Sequence, residues 1–504
     1  MSRQTIIAAL AARRAACPGF YRMPAAADGR LCRIKLPFGL VRPQQLAAAA
    51  DLAEKYGNGN IELTTRGNLQ LRGIKQGEEA ALSAALAAAG LGPAVPQSDD
   101  IRNIMVNPVP GQSGAGAAAM RLAAELLALL QSEPRFQRLS PKFSFYLDGG
   151  EACFISNHCN DIWLSFLPPE FAPAEAAAGE NCCLIGLASP LPANAANIAA
   201  SCLGIVPQRQ ALAAIRAALA GFAAAAEADG LRRMREWPAR AGMAAIRAMI
   251  SRTLPLRPAG AEAAAAWFAG RRRQALALAR TEASNAALSV FPIAADFAIK
   301  ALSLGLRPMP GGSGYYLGAA PPLGRFSARS LRRFAAIAAA HLPPAALRAN
   351  GWQSLIFSGL SLAAGQAAEQ ALRAAGFITA PQNAYAHLLC CAGAPHCARA
   401  RANVQADAAL LARGLAGAFA GLENAAGIIH LTACPKSCAA SAPQAITLLA
   451  LEPSFYAVYQ AAPAAEAGAE SGSRFGRLLS SRLGLNEILP FLRQHLPPAP
   501  QADN

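Results

Sequence analysis

"LPFGLVRPQQLAAAADLA", residues 36–53, returns in altered form as "PPLGRFSARSLRRFAAIA", residues 321–338. Pro37 aligns with Pro322, Gly39 with Gly324, Leu46 with Leu331 and Leu52 with Ile337, all at one offset of 285. Each copy reads as a strand, a glycine turn, a helix and a second strand. After one residue of slip, "IELTTRGNLQL" (61–71) falls on "LRANGWQSLIF" (347–357). A repeat this far apart predicts two similar half-units that pair about a pseudo-two-fold axis. Between the copies lies a long section that opens with "DDIRNIMVNPVPG" (99–111) and contains "RLSPKFSFYLDGG" (138–150), a strand followed by a turn. From about 203 to 290 the chain reads as Ala/Arg-rich helix, broken at "WPARAG" and "RPAGAEAAA". The end, "HLPPAPQADN", reads as a frayed tail.

The 504 residues are enough for two or three domains, and 54% hydrophobic against 15% charged residues predicts a packed chain. No stretch of 18 or more uncharged apolar residues occurs, so no transmembrane helix is expected. Arg13 and Arg14 interrupt the apolar run of "MSRQTIIAALAARRAACPGF", which reads as the first helix of a cytoplasmic protein rather than a signal peptide. The net charge of +16 attracts anions: nucleic acid, a membrane surface, or a small molecule with many carboxylates. The run "GRRRQALALAR" (270–280) reads as a solvated helix face. No helix-turn-helix, zinc-finger or RNP pattern turns the charge toward nucleic acid. "YGNGNIE" lacks the third glycine of a dinucleotide loop, with Glu62 near its place, and no GxxxxGK[ST] occurs.

Twelve cysteines in a cytoplasmic chain point to metal ligation or thiol chemistry rather than disulfides. Cys32, Cys153, Cys159, Cys182, Cys183 and Cys202 read as small buried side chains, and Cys390 as a bystander. Cys391 and Cys397, five residues apart, and Cys434 and Cys438, three apart, are spaced as ligands. The spacing matches neither zinc fingers nor ferredoxin runs. Gly393, Pro395 and Pro435 suit loops folded around a bulky inorganic core, so an iron–sulfur cluster is expected, with structural zinc as the alternative. In "ELTTRGNLQLR" a period of two places Glu62, Thr64, Arg66, Asn68, Gln70 and Arg72 on one polar strand face. Arg33 and Lys35 put another cationic pair on the preceding strand, and Arg102 and Lys142 follow.

The two cysteine pairs, the repeated half-unit, "TTRGNLQ", Arg102–Asn103 and the "PKF" at Lys142 together resemble the sulfite/nitrite reductase superfamily. "ACPGF", "YGNGNIELTTRGNLQLRG", "CAGAPHC" and "HLTACPKSC" are most similar to its precorrin-3B synthases, oxygenases of aerobic cobalamin biosynthesis. The resemblance implies an α+β, three-lobed fold with two ferredoxin-like half-domain repeats paired about the pseudo-two-fold axis. The implied division is a first half-repeat at 1–90, a substrate-pocket domain with the helical section at 91–295, a second half-repeat at 296–375 and a cluster domain at 376–504. It implies a [4Fe–4S] cluster on Cys391, Cys397, Cys434 and Cys438, with Cys438 facing the macrocycle, and a mononuclear non-haem iron. The implied substrate is precorrin-3A, hydroxylated at C20 with closure of a lactone, using dioxygen and an NADH-linked or ferredoxin-type electron donor. Precorrin-3A carries carboxylates around its rim, so Arg33, Lys35, Arg66, Arg72, Arg102 and Lys142, with Asn68, Gln70 and Asn103, are the expected substrate-binding residues.

Two departures matter. The reductases carry a second lysine two residues after the first, where this chain has Ser144, and Ala433 and Ser437 stand where the synthases are expected to have glycine. For the non-haem iron, His158, Asp161, His396 and His430 are the candidates among six histidines and their neighbours. Two other readings remain open: a siroheme-dependent sulfite or nitrite reductase, and a zinc-stabilised nucleic-acid-binding protein.

Overall fold

The computed structural model describes residues 14–111, 114–156, 158–171, 180–281, 294–310, 312, 314–341, 347–415, 428–440, 442–461 and 474–495. Most of the expected first helix lies outside these residues. The repeat is a structural one. In each copy a short turn, Pro37–Gly39 or Pro322–Gly324, leads into a short strand and then a helix, Pro43–Tyr56 or Ala328–His341. The turns share an unusual backbone: Phe38 (φ 59) and Leu323 (φ 55) are both left-handed, and each is followed by a left-handed glycine, Gly39 (φ 73) or Gly324 (φ 70). Gly39 is required twice over, because a Cβ there would stand 1.9 Å from the Ala349 carbonyl oxygen.

That close approach marks an exchange between the halves. Leu40–Val41 of the first copy pairs with Leu347–Ala349 of the second, and Arg325–Ser327 of the second pairs with Asn60–Leu63 of the first. Each five-stranded sheet therefore ends on a strand lent by the other half. The two helices pack on one another and bury Leu46, Ala49, Ala50 and Ala53 against Leu331, Phe334, Ala335 and Ala338 in one shared core. The expected continuous strand 61–71 is a hairpin. Asn60–Leu63 and Leu69–Ile74 pair antiparallel, with Ile61 opposite Leu71 and Leu63 opposite Leu69. The Thr64 hydroxyl accepts from the N–H of Asn68, and Gly67 (φ 65) closes the turn. Arg66 thus sits on a turn, not on a strand face.

The duplication runs further than the sequence shows. Ile104–Val106, Phe145–Asp148 and Asn160–Leu167 lie parallel, followed by antiparallel Cys182–Ser189 and Cys202–Pro207. Leu388–Cys390, Ile429–Thr432 and Ile446–Glu452 repeat that order, followed by Phe455–Gln460 and Arg477–Gly484. The registers agree: Ile104, Phe145 and Ile162 stand side by side in one sheet, and Leu388, Ile429 and Ile446 in the other, each 284 residues later. The helix Gln208–Asp229 is long and apolar enough to cross a membrane by length and composition alone, but Ala214, Ile215, Ala218, Leu219 and Phe222 bury its inner face in the core of the first of these sheets.

By the same offset, Asn107 corresponds to Cys391 and Gly150 to Cys434. In the middle domain this place is filled by a buried polar network. Arg271 donates to both Asp148 oxygens (2.5 and 2.8 Å) and to the Glu151 carbonyl (2.6 Å). Asn107 donates to Asp148 (2.8 Å) and to Glu151, and Ser165 donates to Asp148 (2.6 Å). The helix does present a solvated face, with Arg273 and Gln274 exposed, but Arg271 departs from that expectation at 1% exposed. Its charge is tolerable inside because a bidentate carboxylate neutralises it.

Two stability outcomes follow. Arg271→Met strands the Asp148 carboxylate and lowers unfolding free energy by about 3–5 kcal/mol, read from denaturant midpoints; an unchanged midpoint contradicts the network's role. Gly39→Ala lowers the midpoint more than Gly77→Ala does, because both glycines are left-handed but nothing lies within 4 Å of a Cβ at Gly77. Equal losses would mean the strand exchange leaves room at Gly39.

Candidate functional site

The row of polar side chains on the first sheet is real, and most of it is spent on itself. Arg33, Gln70, Glu62 and Arg325 lie opposite one another across four strands. Arg33 donates to Gln70 (2.6 Å), Gln70 to Glu62 (2.9 Å) and Arg325 to Glu62 (2.6 Å). Arg72 grips both Asp28 oxygens at 3.0 Å, reaches Glu62 at 3.3 Å and donates to the His396 carbonyl at 2.8 Å. His396 Nδ1 stands 3.0 Å from Asp28. Burial pushes the Asp28 carboxyl up, but Arg72 and His396 outweigh it and hold it below the usual range. Arg72 and Gln70 therefore tie the sheet together and dock it on the first cysteine loop.

Lys35 is also committed. It is buried 3.6 Å from Asp99 and 3.8 Å from Asp100, and burial lowers its ammonium to about 8 even against those carboxylates. Asp99 accepts from the N–H of Phe20 (2.8 Å), and Asp100 binds Arg22 (2.7 Å) and Arg14 (2.8 Å). The acidic pair thus fastens the "ACPGF" segment to the start of the middle domain. Arg102 joins it through Asp99 at 3.3 Å, with its Nε unpartnered. Asn68 and Asn103 act as a clamp. Asn68 accepts from the Leu36 N–H (2.9 Å) and donates to Asn103 (3.0 Å), which donates to the carbonyls of Pro141 and Phe143 (3.1 Å each). The clamp sets the Arg66 turn beside the Lys142 loop.

What is left is Arg33, Arg66 and Lys142, none of which has an ion pair with a carboxylate among the described residues. The buried Nε atoms of Arg33 and Arg66 have no hydrogen-bond partner, and Lys142 is exposed with no ion pair among the described residues. Burial drives Arg66 down to about 10; Arg33 and Arg233 push the same way and Asp161 opposes them. Partial loss of solvent lowers the Lys142 ammonium, with Lys436, Arg233 and Arg66 adding to it against Cys17. Burial lowers Arg33 too, and Cys17, Glu62 and Cys438 oppose it. These effects put the cations within electrostatic range of one another in pairs: Arg33 and Arg233 act on Arg66, Lys436, Arg233 and Arg66 act on Lys142, and Lys436 and Lys142 act on the exposed Cys438 thiol. Sequence reading missed Arg233, which follows the helix Ala211–Asp229 in a stretch that offered only repeated arginines. Lys436 was legible in principle, lying between Cys434 and Cys438. Ser144 is fully buried, its hydroxyl without a partner, and its N–H donates to Asp161 at 3.0 Å. It supplies no charge to the cluster.

The cysteine pairs follow adjacent parallel strands, Leu388–Cys390 and Ile429–Thr432. Gly393 (φ 66) turns the first loop, and Cys391 Sγ accepts from the Ala433 N–H at 3.4 Å. Ser437 is left-handed (φ 51), which is the physical reason for expecting glycine there; its hydroxyl donates to the Ala440 carbonyl at 3.0 Å. The cofactor expectation is corrected. Among the described residues no group of three or more histidine, cysteine, aspartate or glutamate side chains stands ready to hold a metal ion. This removes the [4Fe–4S] cluster on Cys391, Cys397, Cys434 and Cys438, the mononuclear iron, and the zinc of the nucleic-acid reading. The iron candidates have other ties. His158 is buried against Asn160 (3.2 Å), His396 faces Asp28, and Asp161 holds the N–H groups of Ser144 and Met234. Burial pushes His430 down to about 4.

The family profile "Nitrite/Sulfite reductase ferredoxin-like half domain" matches residues 24–89 and again 307–375, the two halves that exchange strands. The ferredoxin–nitrite reductase of Synechococcus elongatus is 33% identical over 156 residues, 30% of this chain and 30% of its own length. A precorrin-3B synthase from Sinorhizobium sp is 34% identical over 139 residues, 27% of this chain and 29% of its own length. Nitrite reductases and sulfite reductase hemoprotein subunits recur among the other relatives. The chain thus matches less than a third of the length of these curated relatives. The fold matches the structure of the Mycobacterium tuberculosis NirA protein with a TM-score of 0.66 at 15% identity, over 94% of this chain and 82% of that one. The two exchanging halves are thus ferredoxin-like half-domains of the nitrite/sulfite reductase type, set in an α+β fold shared with the NirA protein.

Proposed function

We propose that this chain is an oxidoreductase that holds a carboxylate-bearing tetrapyrrole among Arg33, Arg66, Arg102 and Lys142. Desolvated guanidiniums without counter-ions are costly in a folded protein unless an anion completes them. The tetrapyrrole reading supplies that anion several times over, since its rim carboxylates match the planar donor fork of arginine.

The finer reading is precorrin-3B synthase. In that reaction precorrin-3A is hydroxylated at C20 and its ring A acetate closes a lactone onto C1. One atom of dioxygen enters the product, and the other leaves as water with two electrons from an external donor. The observation that supports it is Ser144: a reductase aims a second cation at its small oxyanion, and here that place holds a buried, uncharged hydroxyl. The second reading is a tetrapyrrole-dependent sulfite or nitrite reductase. The relatives lend it more weight, being mostly reductases, and Lys436 and Lys142 are cations within electrostatic range of the exposed Cys438.

Incubating the purified chain with precorrin-3A, a reductant and isotopically labelled dioxygen separates the two. The synthase reading expects one labelled oxygen atom in the product by mass spectrometry, and no consumption of nitrite or sulfite. Unlabelled precorrin-3A together with turnover of either oxyanion would replace it by the reductase reading. In the same preparation, Arg66→Ala weakens precorrin-3A binding by about 1.5–3 kcal/mol, the range for a hydrogen bond to a charged group. Unchanged binding would remove Arg66 from the site.

A further inference from the structure

Segments from both half-domains and both parallel sheets close around a cavity of about 40 Å³. Two of its walls are equivalent turns. Thr65 lies between Asn60–Leu63 and Leu69–Ile74 in the first half, and Gly351 lies between Leu347–Ala349 and Leu355–Leu360 in the second. The turns abut, since a Cβ at Gly351 would stand 3.1 Å from the Thr65 carbonyl oxygen. Two more walls are equivalent as well. His158 and Gln444 stand just before the third parallel strands of the two sheets, Asn160–Leu167 and Ile446–Glu452. The cavity therefore lies where the duplicated elements of the chain meet.

Lys300 breaks that symmetry. It lines the cavity from near the end of the helix Ala294–Ala301, and at the offsets of 284 and 285 it falls on Ala16 and Ala15. Among the described lining residues no carboxylate faces it. Its Nζ donates to the Ala386 carbonyl, which uses one of three ammonium donors. Burial lowers this ammonium to about 8, and no nearby acid opposes the shift. His158 brings no charge of either sign. The Asn160 amide donates to the His158 carbonyl at 2.9 Å, so its oxygen, 3.2 Å from Nδ1, accepts the ring proton. Burial, with Arg66 adding to it, pushes His158 down to about 3 and keeps the ring neutral. The space thus holds one cation and nothing to balance it, which is costly until an anion enters. A single water needs about 10–15 Å³ of such space, so there is room for about three small atoms and none for a macrocycle.

We infer that this cavity is a binding site for one carboxylate-sized monovalent anion, with Lys300 as its counter-ion. The site stands apart from Arg33, Arg66 and Lys142 and does not depend on the function proposed for them.

The test is calorimetric titration of the full chain with formate at constant ionic strength, held by a bulky organosulfonate that the cavity excludes. Wild type binds formate at one site. Lys300→Met removes the charge at similar length and raises the Kd about tenfold or more. Ala439→Leu keeps the charge but fills the space, and binding is lost. Arg240→Gln, in an exposed pair with Asp229, leaves binding unchanged. Formate also raises the melting midpoint of wild type, and not that of Lys300→Met. Should Lys300→Met not fold, Ala439→Leu decides alone. Repeating the titration with uroporphyrin III present identifies the source of the anion: formate still binds if the site takes a free anion, and is excluded if a rim carboxylate fills it; the site stands in both cases. No formate binding by wild type, or binding that survives Lys300→Met or Ala439→Leu unchanged, overturns the site.

Discussion

Each half-unit of this chain lacks the last strand of its own sheet and takes it from the other half. Arg325–Ser327 closes the first sheet and Leu40–Val41 closes the second. Unpaired edge groups are costly, so neither half completes its hydrogen bonding alone. The exchange fixes the two helices against each other and pulls Arg325 onto Glu62, at the end of the polar row that Arg33 begins. Everything at the site inherits this geometry. The Arg66 turn hangs from the first sheet, and the Arg72–Asp28–His396 contact docks that sheet on the cysteine loop.

The balance of charge then distinguishes scaffold from site. Lys35, Arg72 and Arg271 are buried but matched by carboxylates, and their burial is structural. Arg33, Arg66 and Lys142 have no such match, although Asp99, Asp100 and Asp161 lie in the same region. Those acids are saturated by backbone N–H groups and by other cations. A protein with a net charge of +16 could place its excess on the surface; here part of it is desolvated where domains meet. That choice makes sense for a polyanionic ligand and carries a cost without one.

The doubled half-domain was legible because proline and glycine at fixed places in a tight turn leave a mark that alanine-rich helices do not blur. Pro37, Gly39, Pro322 and Gly324 all sit in those turns. The second duplication was illegible, because the pairs at offset 284, such as Ile104 with Leu388, are buried strand positions that any aliphatic residue fills. A strict period of two put Arg66, Gln70 and Arg72 on one strand face; the hairpin instead sets Arg66 on its turn and gives Gln70 and Arg72 to internal pairing. Arg233 and Arg271 escaped because only long-range packing separates a committed arginine from a solvated one. The cysteine spacing spoke for a metal centre, and among the described residues the side-chain arrangement does not supply it.

The central claim is that the unmatched cations exist to hold rim carboxylates, and a crystal structure of the chain with bound uroporphyrin III tests it most directly. The account predicts carboxylate oxygens within about 2.7–3.2 Å of the free nitrogens of Arg33, Arg66 and Lys142, with the macrocycle lying beside Cys438. A macrocycle seated elsewhere, such as the surface groove lined by Arg121 and Arg209, with Arg33 and Arg66 still unpartnered, would contradict it.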